Sequence, residues 1–275
     1  ELVAALPPGS GWLVLAPEIG GAFASAPRAA IASARERGLN VLAEVGSRQD
    51  AETALELGAG GLIAKGSEAG GRVDEETTFV LLQQLLQHFD QPVWARGGIG
   101  THTAAACAAA GAAGVVLGDE LVLVRESTLS AELRQAVAGM DGSETTVVGA
   151  ELGRGFRFIA RPGCAGSETL RRRHTELLAA GDREGWRAFL DRAAATADGP
   201  IGWGSHQAWP LGQDASFAAP LAERYRTTGG VVAGLLAAVE DHLHIACGDR
   251  VLAPGSPLAT AHGTRYPIVQ GPMTR

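Results

Sequence analysis

Two glycine turns stand where short apolar runs end, and they are the residues of this chain best suited to hold an anion. Arg96-Gly97-Gly98-Ile99-Gly100 closes the run Pro92–Ala95, and Gly118 closes the run Gly114–Leu117. In parallel α/β proteins, ligands gather outside the carboxyl ends of the strands. A glycine turn there frees backbone N–H groups, and a helix starting a few residues later adds the positive end of its dipole. Gly97, Gly98, Ile99 and Gly118 therefore suit a phosphate; the competing reading is glycine serving tight turns alone. Asp119 follows directly, and a carboxylate beside a phosphate would repel it, so its side chain is expected to point away and cap the next helix. A second loop, Gly66-Ser67-Glu68-Ala69-Gly70-Gly71-Arg72, carries two adjacent glycines that let backbone approach a flat ligand. Glu68 and Arg72 flank them, placed to orient a substrate or to form an ion pair. Lys65, at a strand end, is a candidate Schiff-base amine of an aldolase-type barrel. His102 reads as a helix-start residue. His242 and His244, two apart near a helix end, have poor metal-binding geometry and read as surface residues.

The elements that position these residues repeat. Strands are expected at Trp12–Ala16, Asn40–Val45, Gly61–Lys65, Pro92–Ala95 and Gly114–Leu117, with helices between them: Ala26–Arg37, about 49–57, and one burying Phe79, Leu82, Leu85 or Leu86, and Phe89. Thr101 is placed to cap an alanine-rich helix after the first glycine turn. Repeated βα units force a parallel sheet through right-handed crossovers. Five units are too few for a closed eight-stranded barrel, which leaves an open sheet or most of a barrel without its beginning. Residues 126–160 are irregular. Helices are expected at about 168–180, 183–195, 214–225 and 230–246, with 200–213 an ordered loop holding Trp203 and Trp209. The implied organisation is 1–130 barrel, 131–250 mainly helical, 251–263 linker, and 264–275 a single strand.

Composition narrows the function. The chain has 275 residues and a formal charge of −7, the wrong sign for a general nucleic-acid binder. Its 46% hydrophobic and 19% charged residues support a sizeable core. Cys107, Cys164 and Cys247 lie far apart, with no C-x-x-C pair for zinc or a disulfide framework. No signal peptide or membrane span is expected, so a cytoplasmic setting is the default. Both ends read as cuts in a longer chain.

Gly66-Ser67-Glu68-Ala69-Gly70-Gly71, Arg96-Gly97-Gly98-Ile99 and Gly114-Val115-Val116-Leu117-Gly118 together resemble the nitronate monooxygenase (2-nitropropane dioxygenase) family, which includes FMN-dependent enoyl reductases. The resemblance covers roughly residues 10–130. It implies an incomplete TIM-type (β/α) barrel, represented by its later strands, followed by a helical region. Tyr266–Met273 resembles the family's first strand, implying a second or permuted barrel. The stretch Trp209–Ala218 resembles the segment after such barrels in polyketide and polyunsaturated fatty-acid synthases. The resemblance implies that Gly97, Gly98 and Gly118 hold the FMN phosphate, that Gly70 and Gly71 line the flavin, and that Gln270 and Met273 contact a flavin. It further implies NAD(P)H as a possible donor, a small or carrier-bound acyl substrate, and the other domains of a parent synthase as partners. One departure matters: the family usually has His after the two glycines, where this chain has Arg72. Arginine stays protonated and is no general base; a guanidinium can instead polarise a thioester carbonyl or stabilise reduced flavin. The rival implications are a catalytically degenerate barrel and the Lys65 aldolase.

Overall fold

Apolar runs bounded by glycine and proline become the five strands of one parallel sheet in the computed structural model, which describes residues 11–16 and 28–268. The strands are β1 (Trp12–Leu15), β2 (Asn40–Val45), β3 (Gly61–Lys65), then, after a detour through β4 (Gly71–Val73), β5 (Val93–Arg96) and β6 (Gly114–Val116). Their order in the sheet is β1-β2-β3-β5-β6, all parallel. Helices α1 (Arg28–Glu36), α2 (Arg48–Glu56), α3 (Thr78–His88) and α4 (Thr101–Ala109) make the crossovers.

Side-chain alternation decides between the two sheet architectures left open by the sequence. Successive strand residues face opposite sides. Ala43, Val45, Leu62, Ala64, Val93 and Ala95 lie on one side and pack with Ala51, Ala54, Leu81, Leu82, Leu85 and Ala104 of the helices. The other side carries Glu44, Lys65 and Arg96, with Trp12 and Val14 of β1 half-exposed. A doubly wound sheet reverses its strand order and covers both faces with helices. This sheet keeps sequence order and its helices cover one face, so it is a half-barrel with a polar inner wall. The buried stripe of α3 is Thr78, Leu81, Leu82 and Leu85, the i, i+3, i+4, i+7 pattern; Phe79, expected inside, faces solvent with Val80. Thr101 is the first residue of α4, not its cap: Gly100 holds that position, and its N–H donates to the Thr103 hydroxyl at 2.7 Å.

The stretch 126–160, irregular by sequence, holds α5 (Ala131–Ala138) and two strands, β7 (Thr145–Val148) and β8 (Gly155–Ile159). With β4 they form an antiparallel sheet in the order β4-β8-β7, Arg72 standing opposite Phe156. That sheet ties the helical region to the barrel strands. Phe156, Phe158, Leu170, Trp186 and Leu190 fill a second core beneath α6 (Ala165–Ala180) and α7 (Arg183–Ala195). A 3-10 turn (Gln213–Phe217) leads into α8 (Ala218–Tyr225) and α9 (Thr228–Asp249), and α9 packs along α4. By length and composition α9 is apolar enough to cross a membrane, unlike the broken runs expected from sequence; Val232, Leu236 and Ile245 on it are exposed. A short helix, α10 (Pro257–Ala261), interrupts the expected linker. Tyr266, Pro267 and Ile268 form no strand, and the rest of that segment, with Gln270 and Met273, lies outside the described residues.

Candidate active site

All five parallel strands end on the same edge, and the glycine turns after β5 and β6 converge there. Gly97 (φ +104°) and Gly98 (φ +66°) occupy the left-handed region that favours glycine, which turns the next amides inward. Ile99 N donates to Glu120 Oε1 at 3.3 Å and Gly118 N donates to Glu120 Oε2 at 2.7 Å. Gly98 N donates to Asp214 Oδ2 at 3.4 Å. The two turns therefore share one anion seat at the N-terminus of α4, and the chain's own carboxylates sit in it. Glu120 is fully buried and Asp214 nearly so. Asp119 points from the turn towards the loop above, where its Oδ2 accepts from Gly212 N at 2.7 Å.

Burial dominates the titration of this cluster. It pushes the Glu120 carboxyl up to about 7, with the Asp119 charge adding and the amides of Gly118 and Ile99 opposing. Asp214 is driven well above the usual carboxylate range by burial first, then by Asp119 and Glu120. Asp119 is raised too, by burial, against the pull of the Gly212 amide, Arg96 and Lys65.

The second glycine loop lies against the same cluster. A Cβ on Gly70 would meet Pro210 O at 2.2 Å, with Asp119 Oδ2 and Gly212 N at 2.7 Å. Gly70 thus lets the 210–212 loop pack on it, and Gln213 N donates to Glu68 O at 2.8 Å to fasten that loop. Gly71, also left-handed (φ +75°), starts β4. Glu68 uses Oε2 to accept from the N–H and hydroxyl of Thr78, at 3.0 and 3.1 Å, so it caps α3. Arg72 is buried on β4, where its Nη2 lies 3.3 Å from Asp50 and 3.9 Å from Asp74. Burial raises Asp74, and Asp50 adds to that, against the pull of Arg72 and, more weakly, of Arg154.

Between the glycine turns and Arg72, the inner wall carries an ion triad of buried Glu44 and Lys65 with partly exposed Arg96: Lys65 Nζ lies 3.1 Å from Glu44 Oε1, and Arg96 pairs with Glu44 Oε2. Burial lowers Lys65 despite Glu44. For Glu44, burial raises the carboxyl, but Lys65 and Arg96 outweigh it and hold the group below its usual range. The void next to Lys65 is about 10 Å³, room for no more than a water, which leaves an aldol substrate no access. His102 and His242 stack across α4 and α9 at 4.4 Å. No metal-binding cluster occurs among the described residues.

Does this site suit a flavin phosphate? The amide frame has the right form: three N–H groups on two turns at a helix N-terminus. The donor set does not, because each of those amides already donates to a buried carboxylate and three acids crowd the seat. A phosphate could reach these amides only by displacing the carboxyl groups that now occupy them, and any of the three that ionised would repel it. The residues present do not fit the group. Sequence reading found the turns but missed their occupants. The acidic pair Asp119-Glu120 after Gly118 was the available signal; Asp214, 116 positions from Gly98, left none.

A family model described as nitronate monooxygenase matches residues 16–180. Among curated proteins, the (3aS,4S,5R,7aS)-5-hydroxy-7a-methyl-1-oxo-octahydro-1H-indene-4-carboxyl-CoA dehydrogenase of Rhodococcus jostii (strain RHA1) is 35% identical over 128 residues, 46% of this chain and 36% of that protein. A nitronate monooxygenase of Paraburkholderia phytofirmans is 32% identical over 202 residues, 70% of this chain and 53% of that protein. The chain therefore spans between about a third and a half of these relatives. Among solved structures, FabK from Thermotoga maritima superposes with a TM-score of 0.67 at 22% identity, over 86% of this chain and 70% of that one, a likeness of fold. A nitroalkane oxidase from Streptomyces ansochromogenes gives 0.60 at 25% identity, over 87% of this chain and 66% of that one.

Proposed function

The chain belongs to the nitronate monooxygenase family, oxidoreductases that in general use FMN, and from that premise we propose that its parent protein is a reductase of the enoyl type rather than a nitronate oxidase. Arg72 carries this reading. It stands where the family has a histidine, it cannot accept a proton at neutral pH, and Asp50 and Asp74 hold its charge inside the fold. Forming a nitronate from a nitroalkane through that residue would need a base to take the α proton; delivery of hydride to the β-carbon of a conjugated thioester does not, the α-carbon then taking its proton from solvent. The substrate on this reading is a carrier-bound acyl chain, the donor NAD(P)H, and the partners are the other domains of a cytoplasmic multidomain polyketide or fatty-acid synthase. In the full-length parent, an enoyl thioester should drive NAD(P)H oxidation while a nitroalkane drives no oxygen uptake. The reverse pattern would overturn the assignment.

A second reading is favoured by Glu120. A seat filled by a buried carboxylate that satisfies two amides suits a half-barrel kept as scaffold, with the cofactor of the parent held by another barrel. The visible spectrum of the parent, purified with and without added FMN, separates the two. A parent that binds flavin and loses it on Gly98→Asp places the cofactor here and ends the scaffold reading. Unchanged flavin content in that variant supports it.

A further inference from the structure

Across the carboxyl edge from the glycine turns, a cavity of about 360 Å³ opens between the turn after β2, strand β4 and the 150–155 turn. Its wall includes Arg154, a residue 7% exposed. Arg154 is held rigidly by its backbone. Its N–H donates to Gly149 O at 3.1 Å, and its carbonyl accepts from the indole Nε1 of Trp186 at 2.8 Å, in the middle of the second core. Gly149 and Gly153, both left-handed, shape the turn that presents it.

The Arg154 guanidinium makes no ion pair and no side-chain hydrogen bond among the described residues, and its Nε is buried without a partner. Of the four carboxylates on the wall, Asp50 and Asp74 lie against Arg72 and Glu76 accepts from Gln84, and none of the four, Glu75 included, is in ion-pair contact with Arg154. Arg187, also on the wall, pairs with Glu184. Burial presses hardest on the Arg154 charge, followed by Arg72 and then Arg187, while Asp50 and Asp74 offset part of this from beyond ion-pair distance. A buried cation with no anion in direct contact is only partly compensated by charges at a distance, and a ligand anion would complete the pairing.

We propose that this cavity binds an oxyanion, the carboxylate or phosphate end of a small molecule, with Arg154 as its principal contact. The guanidinium offers a planar fork that matches either group in bidentate fashion. The volume lies at the small end of the range for ligand pockets, about 300–1,000 Å³. The wall sets Arg72, Arg154 and Arg187 among four carboxylates with glycine and serine between them, so an ionic head must seat on Arg154 itself, and an acyl chain finds little apolar lining. This inference does not depend on flavin, since the seat at the glycine turns and the Arg154 cavity use different residues; it shares Arg72, Asp50 and Asp74 with the reductase reading, and its test reads anion binding and not activity, so either can fail alone.

The test is calorimetric titration of the whole chain with inorganic phosphate and, separately, with acetate, at ionic strength matched with sodium chloride. Binding by either anion is expected, and the stronger of the two identifies the head group. Arg154→Gln should weaken it by about tenfold or more, and Arg154→Lys, which keeps charge but loses the fork, by less. Glu120→Gln, at the other seat, should leave this affinity unchanged. Absence of heat with both anions, or binding that survives Arg154→Gln, would overturn the proposal. If Arg154→Gln proves unfolded, the lysine variant decides: affinity equal to the parent's removes Arg154 from the site.

Discussion

Two polar regions on one edge of this half-barrel have opposite charge problems. At the glycine turns, amides that could greet a ligand's phosphate are met by Glu120 and Asp214 from within the chain. At the cavity beside β2 and β4, Arg154 is buried with no anion in contact. The strands that carry them stand two or three positions apart in the sheet, about 10–14 Å at the usual strand spacing. The glycine turns are self-satisfied and the cavity is not. The pairing of backbone donors thus says where this fold needs no ligand, and the unpaired side chain says where it gains from one.

The largest expected effect breaks the first half of that contrast. Glu120→Ala removes the acceptor of two buried amides. Leaving such donors unsatisfied costs roughly 1–3 kcal/mol each, and the void adds to it, so a loss of about 4 kcal/mol in urea unfolding is expected. Inorganic phosphate should then restore part of the stability by entering the vacated seat, an effect absent in the parent chain at the same position. A neutral outcome would mean that the carboxylate contributes nothing to the turns.

Arg72→Met is next, and it tests pairing inside the cavity itself. Removing one member of a buried ion cluster costs about 3–5 kcal/mol, and the partial solvation of Asp50 and Asp74, at 17% and 23% side-chain exposure, places this case near the lower end. Thermal unfolding should fall accordingly. Raising the pH should deepen the loss, since Asp74 then ionises without its counterion.

Proton linkage gives the third test. Glu120 has a folded pKa of about 7, above the ordinary value of 4.5. Below the ordinary value both states are protonated and the contribution is whole. Between there and about 7 the folded state holds a proton that the unfolded state has released, so stability declines as pH rises and levels off above 7. The decline from this group is about 3 kcal/mol. Glu120→Gln should flatten the profile over that window; a slope unchanged in the variant would assign the linkage to Asp214 or Asp119.

What could be read from the sequence follows from how local each feature is. Strands β2 and β3 are continuous apolar runs closed by glycine, and the turns at Gly97-Gly98 and Gly118 lie directly on them. The β4-β8-β7 sheet was hidden because β4 is three residues long and its partner lies far along the chain. Glu68 and Arg72 were recognised as special, yet their partners Thr78, Asp50 and Asp74 belong to tertiary packing. Arg154 carries no motif, since its meaning lies in lacking a partner, which only the packed chain reveals.

The smallest predicted change concerns that residue, and its sign is the point. Arg154→Met keeps length and packing while removing an unpaired buried charge. Replacing buried charge by an apolar group of similar volume is often neutral or stabilising, and here no carboxylate in ion-pair contact is stranded: Asp50 and Asp74 keep Arg72 and lose only a weaker attraction from farther away. The variant is therefore expected to melt slightly higher than the parent, by about 1 kcal/mol of stability in anion-free buffer. In phosphate or acetate the order should reverse, since only the parent gains by binding. Arg72→Met and Arg154→Met would then differ in sign within one cavity. A loss of stability for Arg154→Met in anion-free buffer would mean that its charge is already balanced inside the fold, and the distinction between the two regions would collapse.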